Sequence, residues 1–177
     1  MSKFLLTAAM LFLCGCSTMP LSTMIKLGLM DIDDLANIKP EEIRAKVHID
    51  NSMKIVPGVT KLTLELDADQ GIFLYKFDLK LLRTNTIEPQ IGWFSESVGK
   101  TEYIFSMNDT AIDSFRATQS AAVTKSLNGF TLSVKTRISN IDNYDDDIIF
   151  SVYLKIAENQ DYFLLFDRAA LEVINHD

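Results

Sequence analysis

Leu62-Thr63-Leu64-Glu65-Leu66-Asp67-Ala68-Asp69-Gln70-Gly71-Ile72-Phe73-Leu74-Tyr75-Lys76-Phe77-Asp78-Leu79-Lys80-Leu81 is the stretch that decides the fold. Leu62, Leu64 and Leu66 alternate with Thr63, Glu65 and Asp67. Beyond Ala68-Asp69-Gln70-Gly71, Phe73, Tyr75, Phe77, Leu79 and Leu81 alternate with Lys76, Asp78 and Lys80. A period of two sends successive side chains to opposite faces, so each run is a strand with one buried face. A short polar turn ending in Gly joins the two as a β-hairpin, and hairpins pair antiparallel.

The same period recurs on both sides of the hairpin. Arg44 to Asp50 and Thr101 to Met107 alternate, as do Leu132, Val134, Thr136 and Ile138 against Ser133, Lys135 and Arg137. Ile148 to Ile156 reads as a strand, Glu158-Asn159-Gln160-Asp161 as a turn, and Tyr162 to Phe166 as the returning strand. Asn108-Asp109-Thr110 is a helix cap before Ala111 to Leu127, with Ile112, Phe115, Gln119, Ala122, Val123 and Ser126 on one face and Asn128-Gly129 as the stop. Residues 84–99, with Pro89, Gly92 and Gly99, read as a long connection. Residues 31–43 read as a connection with one or two helical turns, Pro40-Glu41-Glu42 suiting a first turn. Residues 22–30 fit both strand and helix periods, and the central Gly28 tips the reading to a strand. The sum is an α+β fold: about seven mainly antiparallel strands, in a sandwich or half-barrel, with one helix near 109–127.

The chain has 177 residues, 47% apolar and 23% charged, which is a globular composition of single-domain size. Its formal net charge of −7 speaks against nucleic acid and against charge-driven adhesion to anionic lipid, both of which need clustered Lys and Arg.

The start of the chain carries an address. Met1-Ser2-Lys3 is a short cationic start, and Phe4 to Leu13 is an apolar run of ten residues. Such a run rises about 15 Å as a helix, roughly half a bilayer core, which suits a secretory signal better than a span. Leu13-Cys14-Gly15-Cys16 then resembles the bacterial lipobox. In that family the Cys thiol takes a diacylglyceryl group, the signal is cut just before it, and the new amino group is acylated. The resemblance implies that Cys16 is lipidated with fatty acids such as palmitate. It divides the chain into a signal peptide over 1–15, a short lipidated tether over 16–21 and a single globular domain over 22–177. Two or three acyl chains hold a protein firmly, at about 0.8 kcal/mol per buried CH₂. Ser17, rather than Asp, resembles an outer-membrane destination in a Gram-negative cell, with the domain facing the periplasm. Segments such as Pro40-Glu41-Glu42-Ile43-Arg44, and Tyr153-Leu154-Lys155 near Phe163-Leu164-Leu165-Phe166, resemble uncharacterised bacterial envelope lipoproteins, from which no activity carries over. With Cys14 lost and Cys16 acylated, no thiol remains for a disulfide, and the core alone must stabilise the domain.

Site chemistry is sparse. The two histidines are His48, inside a strand, and His176, beside the last residue. No Gly-x-Ser-x-Gly elbow, His-Glu-x-x-His motif, paired-Cys motif or Gly-rich phosphate loop accompanies them. A calcium loop starting at Asp142 needs an acceptor at its third position, Gly at the sixth and Glu at the twelfth; the chain has Tyr144, Asp147 and Tyr153 there. The acidic run 142–147 therefore reads as a solvated loop, with loose calcium binding left open. No catalytic residue, metal or cofactor is expected, and 24 acids always offer carboxylate pairs without singling any out. Gly92-Trp93-Phe94 holds the only Trp, in a loop-like segment. Trp93 and Phe94 are either a partner-binding anchor or a cap folded onto the core. The expectation is a non-enzymatic envelope lipoprotein that docks to an envelope protein partner. The alternative is a carrier of lipid or another apolar ligand in a cavity lined by Phe73, Tyr75, Phe77 and Leu79.

Overall fold

The computed structural model describes residues 32–56, 58–89, 99–123, 127–139 and 150–169. Helix α1 (Ile32–Asn37) and a 3-10 turn (Pro40–Glu42) lead into strands β1 (Arg44–Asp50), β2 (Lys54–Ile55), β3 (Lys61–Ala68), β4 (Gly71–Ile87) and β5 (Lys100–Met107). Helix α2 (Asp109–Ala122) follows, then β6 (Leu127–Lys135), β7 (Ile138–Ser139), β8 (Phe150–Lys155) and β9 (Phe163–Ala169). Seven strands form one sheet in the order β6-β3-β4-β5-β1-β8-β9, every neighbouring pair antiparallel, and β2 pairs with β7 apart from it. This is the expected α+β class, a mainly antiparallel sheet curled nearly into a barrel around its helices.

The hairpin forms where alternation places it. Ala68 pairs with Gly71 across Asp69-Gln70, and Gly71 sits at φ +119°, a conformation that favours a residue without Cβ. Strand β4 then does double service. Gly71 to Asp78 pair with β3, while Leu79 to Ile87 pair with β5. The wing β6-β3-β4 and the wing β4-β5-β1-β8-β9 thus share one long strand.

Inside lies a single main core. Leu62, Leu64 and Leu66 of β3, Val47 of β1, Leu154 of β8 and Phe115 of α2 are essentially without exposed surface. Leu132 of β6 and Leu165 of β9, on the two edge strands, belong to the same cluster, so the sheet wraps its helices. The Phe77 and Phe115 rings meet tilted at 58° with centroids 5.0 Å apart, a favourable edge-on aromatic arrangement. A smaller cluster of Ile49, Met53 and Ile138 closes the end where β2 meets β7.

Helix α2 starts as expected, with the Asn108 side chain accepting a hydrogen bond from the Ala111 amide at 2.8 Å. It ends earlier than the expected Leu127. The last helical residue is Ala122, and the Val123 amide bonds back to the Gln119 carbonyl. Leu127, Asn128 and Gly129 are already strand. Asp67 pairs with Gly129 and Ala68 with Leu127, so Asn128 is the extra residue of a β-bulge rather than a helix stop. The buried face of α2 is Ala111, Phe115, Thr118, Gln119 and Ala122; Val123, expected there, is 64% exposed. Two further expectations are corrected on β4. Residues 84–87 are strand rather than connection, and Leu81, though in the core phase, is half exposed. Leu81 pairs with Phe105 and Arg83 with Ile104, so Leu82 bulges out where the strand passes between wings. The strand expected over 22–30 lies outside the described residues.

Gln119 ties the helices together. Its side-chain amide donates to the Leu35 carbonyl at 2.6 Å and to the Ile38 carbonyl at 2.8 Å, satisfying the C-terminal end of α1. We expect Gln119→Leu to remove both bonds, leaving the Leu35 carbonyl with only the Ile38 amide at 3.3 Å and taking its Gln119 donor from the Ile38 carbonyl, and to lower stability by about 1–3 kcal/mol. The check is urea unfolding, with the midpoint lowered, together with faster amide exchange over residues 33–38.

Candidate functional site

The core-facing residues of β5, β1 and β8 leave a second set pointing the other way. Register places Glu102 of β5, His48 of β1 and Ser151 of β8 in one row across the outer face, and Ile104, Lys46 and Tyr153 in the next. On the other side of β5, Asn85 of β4 completes the first row and Arg83 the second. Alternation along β1, β5 and β8 assigns their side chains to this face; Arg83 and Asn85 reach it through the bulge at Leu82, and only the pairing brings them all together.

Glu102 is the hub. Its Oε2 lies 2.9 Å from His48 Nε2 and 3.7 Å from Lys46 Nζ, and its Oε1 accepts from Asn85 Nδ2 at 2.7 Å. An ionised carboxylate only accepts, so His48 carries its proton on Nε2. Partial burial pushes the Glu102 carboxyl up, but the hydrogen bonds from His48 and Asn85 and the Lys46 charge outweigh it and hold the group below its ordinary range. The Lys46 ammonium sits 4.8 Å from the Tyr153 ring centroid and 4.4 Å from that of Tyr162, a cation held between two aromatic faces. The imidazole of His48 lies tilted against the same Tyr153 ring at 4.9 Å. Burial raises the Tyr162 hydroxyl pKa, partly opposed by Arg44.

Beside this network runs an open groove of about 430 Å³ lined by Arg44, Leu82, Arg83, Ile104, Lys155 and Tyr162. Arg44 is anchored, its guanidinium donating to the Glu41 and Ile43 carbonyls at 2.7 Å each. Among the described residues Arg83 and Lys155 form no ion pair. Ile104 is nearly buried here without belonging to the main core. The groove therefore offers the Arg83 guanidinium, the Lys155 ammonium, whose other side borders Glu41, Glu42 and Glu158, an apolar floor and a tyrosine wall.

Chemically, Glu102 and His48 resemble the acid and base of a proton relay, with Ser151 opposite His48 in the ladder. Ser151, however, is 4% exposed and held within a central strand, so no cleft opens on its hydroxyl. His48, expected to be structural or surface, is a half-buried partner of Glu102. Cys16, Trp93, Phe94, His176 and the acidic run 142–147 lie outside the described residues. Among the described residues no cluster of His, Cys, Asp or Glu has a metal-holding arrangement, and no helix is long and apolar enough to cross a membrane. Sequence reasoning missed Glu102, Asn85, Lys46, Tyr153 and Tyr162. Compared with known proteins, the chain matches no family model, no protein of curated function and no solved structure.

The Glu102 network makes a pH prediction. A carboxyl whose pKa is lower folded than unfolded adds stability above the unfolded value, near 4.3, and that stability is lost as pH falls through the folded value. Urea midpoints measured from pH 7 down to pH 3 are expected to fall more steeply for the wild type than for Glu102→Gln. Parallel curves would remove Glu102 from the account.

Proposed function

We propose that the protein is a membrane-anchored envelope lipoprotein whose domain acts by binding an envelope protein partner, without catalysis. The anchor reading rests on Leu13-Cys14-Gly15-Cys16 and the apolar run before it. One observation carries the binding reading: the described inner face is packed with buried apolar side chains, while the outer face holds an open groove bearing Arg83 and Lys155. Phe73, Tyr75, Phe77 and Leu79, the residues that would line a carrier's cavity, pack into the core with Phe115. Room for a guest is on the surface, beside Arg83 and Lys155. An acidic partner segment bearing one apolar side chain suits that groove: carboxylates meet the two cations, and the apolar group covers Leu82 and Ile104.

Two experiments test the two halves separately. Cys16→Ala is expected to release the protein from membranes or leave it uncleaved; membrane retention with normal lipidation would overturn the anchor. For the binding half, a photo-crosslinking residue placed at Leu82 in cells is expected to capture one dominant envelope protein. Adding Arg83→Glu and Lys155→Glu should reduce that product at least tenfold. An unchanged product would place the partner elsewhere.

A further inference from the structure

The other wing has its own unusual surface. At the outer face of β6-β3-β4, a cleft of about 170 Å³ is lined by Lys61 and Thr63 of β3, Lys76 of β4, Lys135 of β6, and Val59, Thr136 and Arg137 beside them. Lys61 is neutralised by Asp78 at 3.0 Å. Lys76, Lys135 and Arg137 form no ion pair among the described residues. Three uncompensated cations thus converge on one small cleft in a chain of net charge −7.

Two features of the cleft work against the fold. Lys61 and Lys135 stand directly opposite each other across β3 and β6, where like charges repel and Asp78 offsets only the Lys61 charge. Thr63, 4% exposed, lines the cleft, and its hydroxyl is the one buried side-chain polar atom without a hydrogen-bond partner among the described residues. Such an atom loses its water without gaining a partner. Lysine on an edge strand such as β6 discourages sheet-to-sheet pairing, which accounts for Lys135. It accounts for neither Lys76, on an interior strand opposite Thr63, nor the orphaned hydroxyl. Local rules broken together at one place mark a site.

We propose that this cleft binds a phosphate-class oxyanion, a function separate from partner docking on the other wing. A tetrahedral dianion offers several acceptors at once to ammonium, guanidinium and hydroxyl donors, and its charge relieves the repulsion between the lysines. The cleft has room for one phosphoryl group rather than a nucleotide. Rotation about χ1 exchanges the Thr63 hydroxyl with its methyl group and turns the donor toward a bound oxygen. The same chemistry is presented by free phosphate monoesters and by the headgroup of a phosphomonoester lipid.

The test is two-dimensional amide NMR of the full chain in non-ionic detergent, titrated with inorganic phosphate against sodium chloride of equal ionic strength. Saturable shifts confined to residues around Thr63, Lys76 and Lys135 are expected, at millimolar affinity. Lys135→Ala with Arg137→Ala should weaken binding at least fivefold. Thr63→Val should weaken it too while raising the unfolding midpoint, an outcome that a merely structural hydroxyl would not give. Nanodiscs of phosphatidylcholine with and without phosphatidic acid separate the sources. Cleft resonances shifted by phosphatidic acid alone, and no longer responsive to phosphate, assign a lipid headgroup; a phosphate response equal in both discs assigns a soluble ligand. Shifts reproduced by chloride, or unaltered in the Lys135 and Arg137 variant, would overturn the proposal.

Discussion

Strand β4 is the constraint on which the architecture depends. Its 17 residues span about 55 Å if fully extended, far more than an average strand. No single partner runs its length, so it pairs with β3 first and β5 afterwards. Each wing carries its buried apolar residues on the inner side, leaving Ile72 and Leu74 exposed outside, and both wings must cover the same helices. The bulge at Leu82 sits just past the handover, where a local increase in twist lets one strand serve both. Removing continuity there would separate Leu62, Leu64 and Leu66 from Val47, Phe105 and Leu154, although all six belong to one cluster.

The described inner face is apolar and packed, and the charged side chains collect on the outer face. A seven-stranded sheet has a broad outer face, and here it holds cations in two groups: Arg83 and Lys155 near the Tyr162 wall, and Lys76, Lys135 and Arg137 near Thr63. Between the cations and the acidic remainder of the chain, Glu102 shows how the fold tolerates half-buried charge. Both its oxygens are hydrogen-bonded, and the nearby ammonium is itself shielded by two rings. An unsatisfied carboxylate in that position would cost stability, whereas this one is compensated on every side the described residues supply.

The hairpin was readable because alternation, turn chemistry and Gly71 agree with one another. The helix start was readable for the same reason, through Asn108. The helix end was not, because Asn-Gly serves equally as a stop and as part of a strand, and only pairing with Asp67 reveals the bulge at Asn128. Thr84-Asn85-Thr86 has no apolar alternation to announce a strand; it is one because β5 supplies a partner. The Glu102 network was invisible for a deeper reason. His48 and Glu102 are 54 positions apart, and their meeting depends on the register of β1 against β5, which no local pattern encodes. A shift of one residue in either strand would send its member of the pair to the core side and break the contact.

The clamp of Gln119 on α1 also determines how the molecule bears mechanical load. A pull applied upstream of residue 32 enters the domain through α1, a six-residue helix clamped at its C-terminal end by the Leu35 side chain and two hydrogen bonds from Gln119, with further interactions at Asp33 and Asp34. Strand β1, next along the chain, is hydrogen-bonded on both sides, to β5 and to β8. The helix is therefore a weak link in series with a strong one. Under tension it peels first and lengthens the segment that precedes β1, while the sheet and both of its outer surfaces keep their shape.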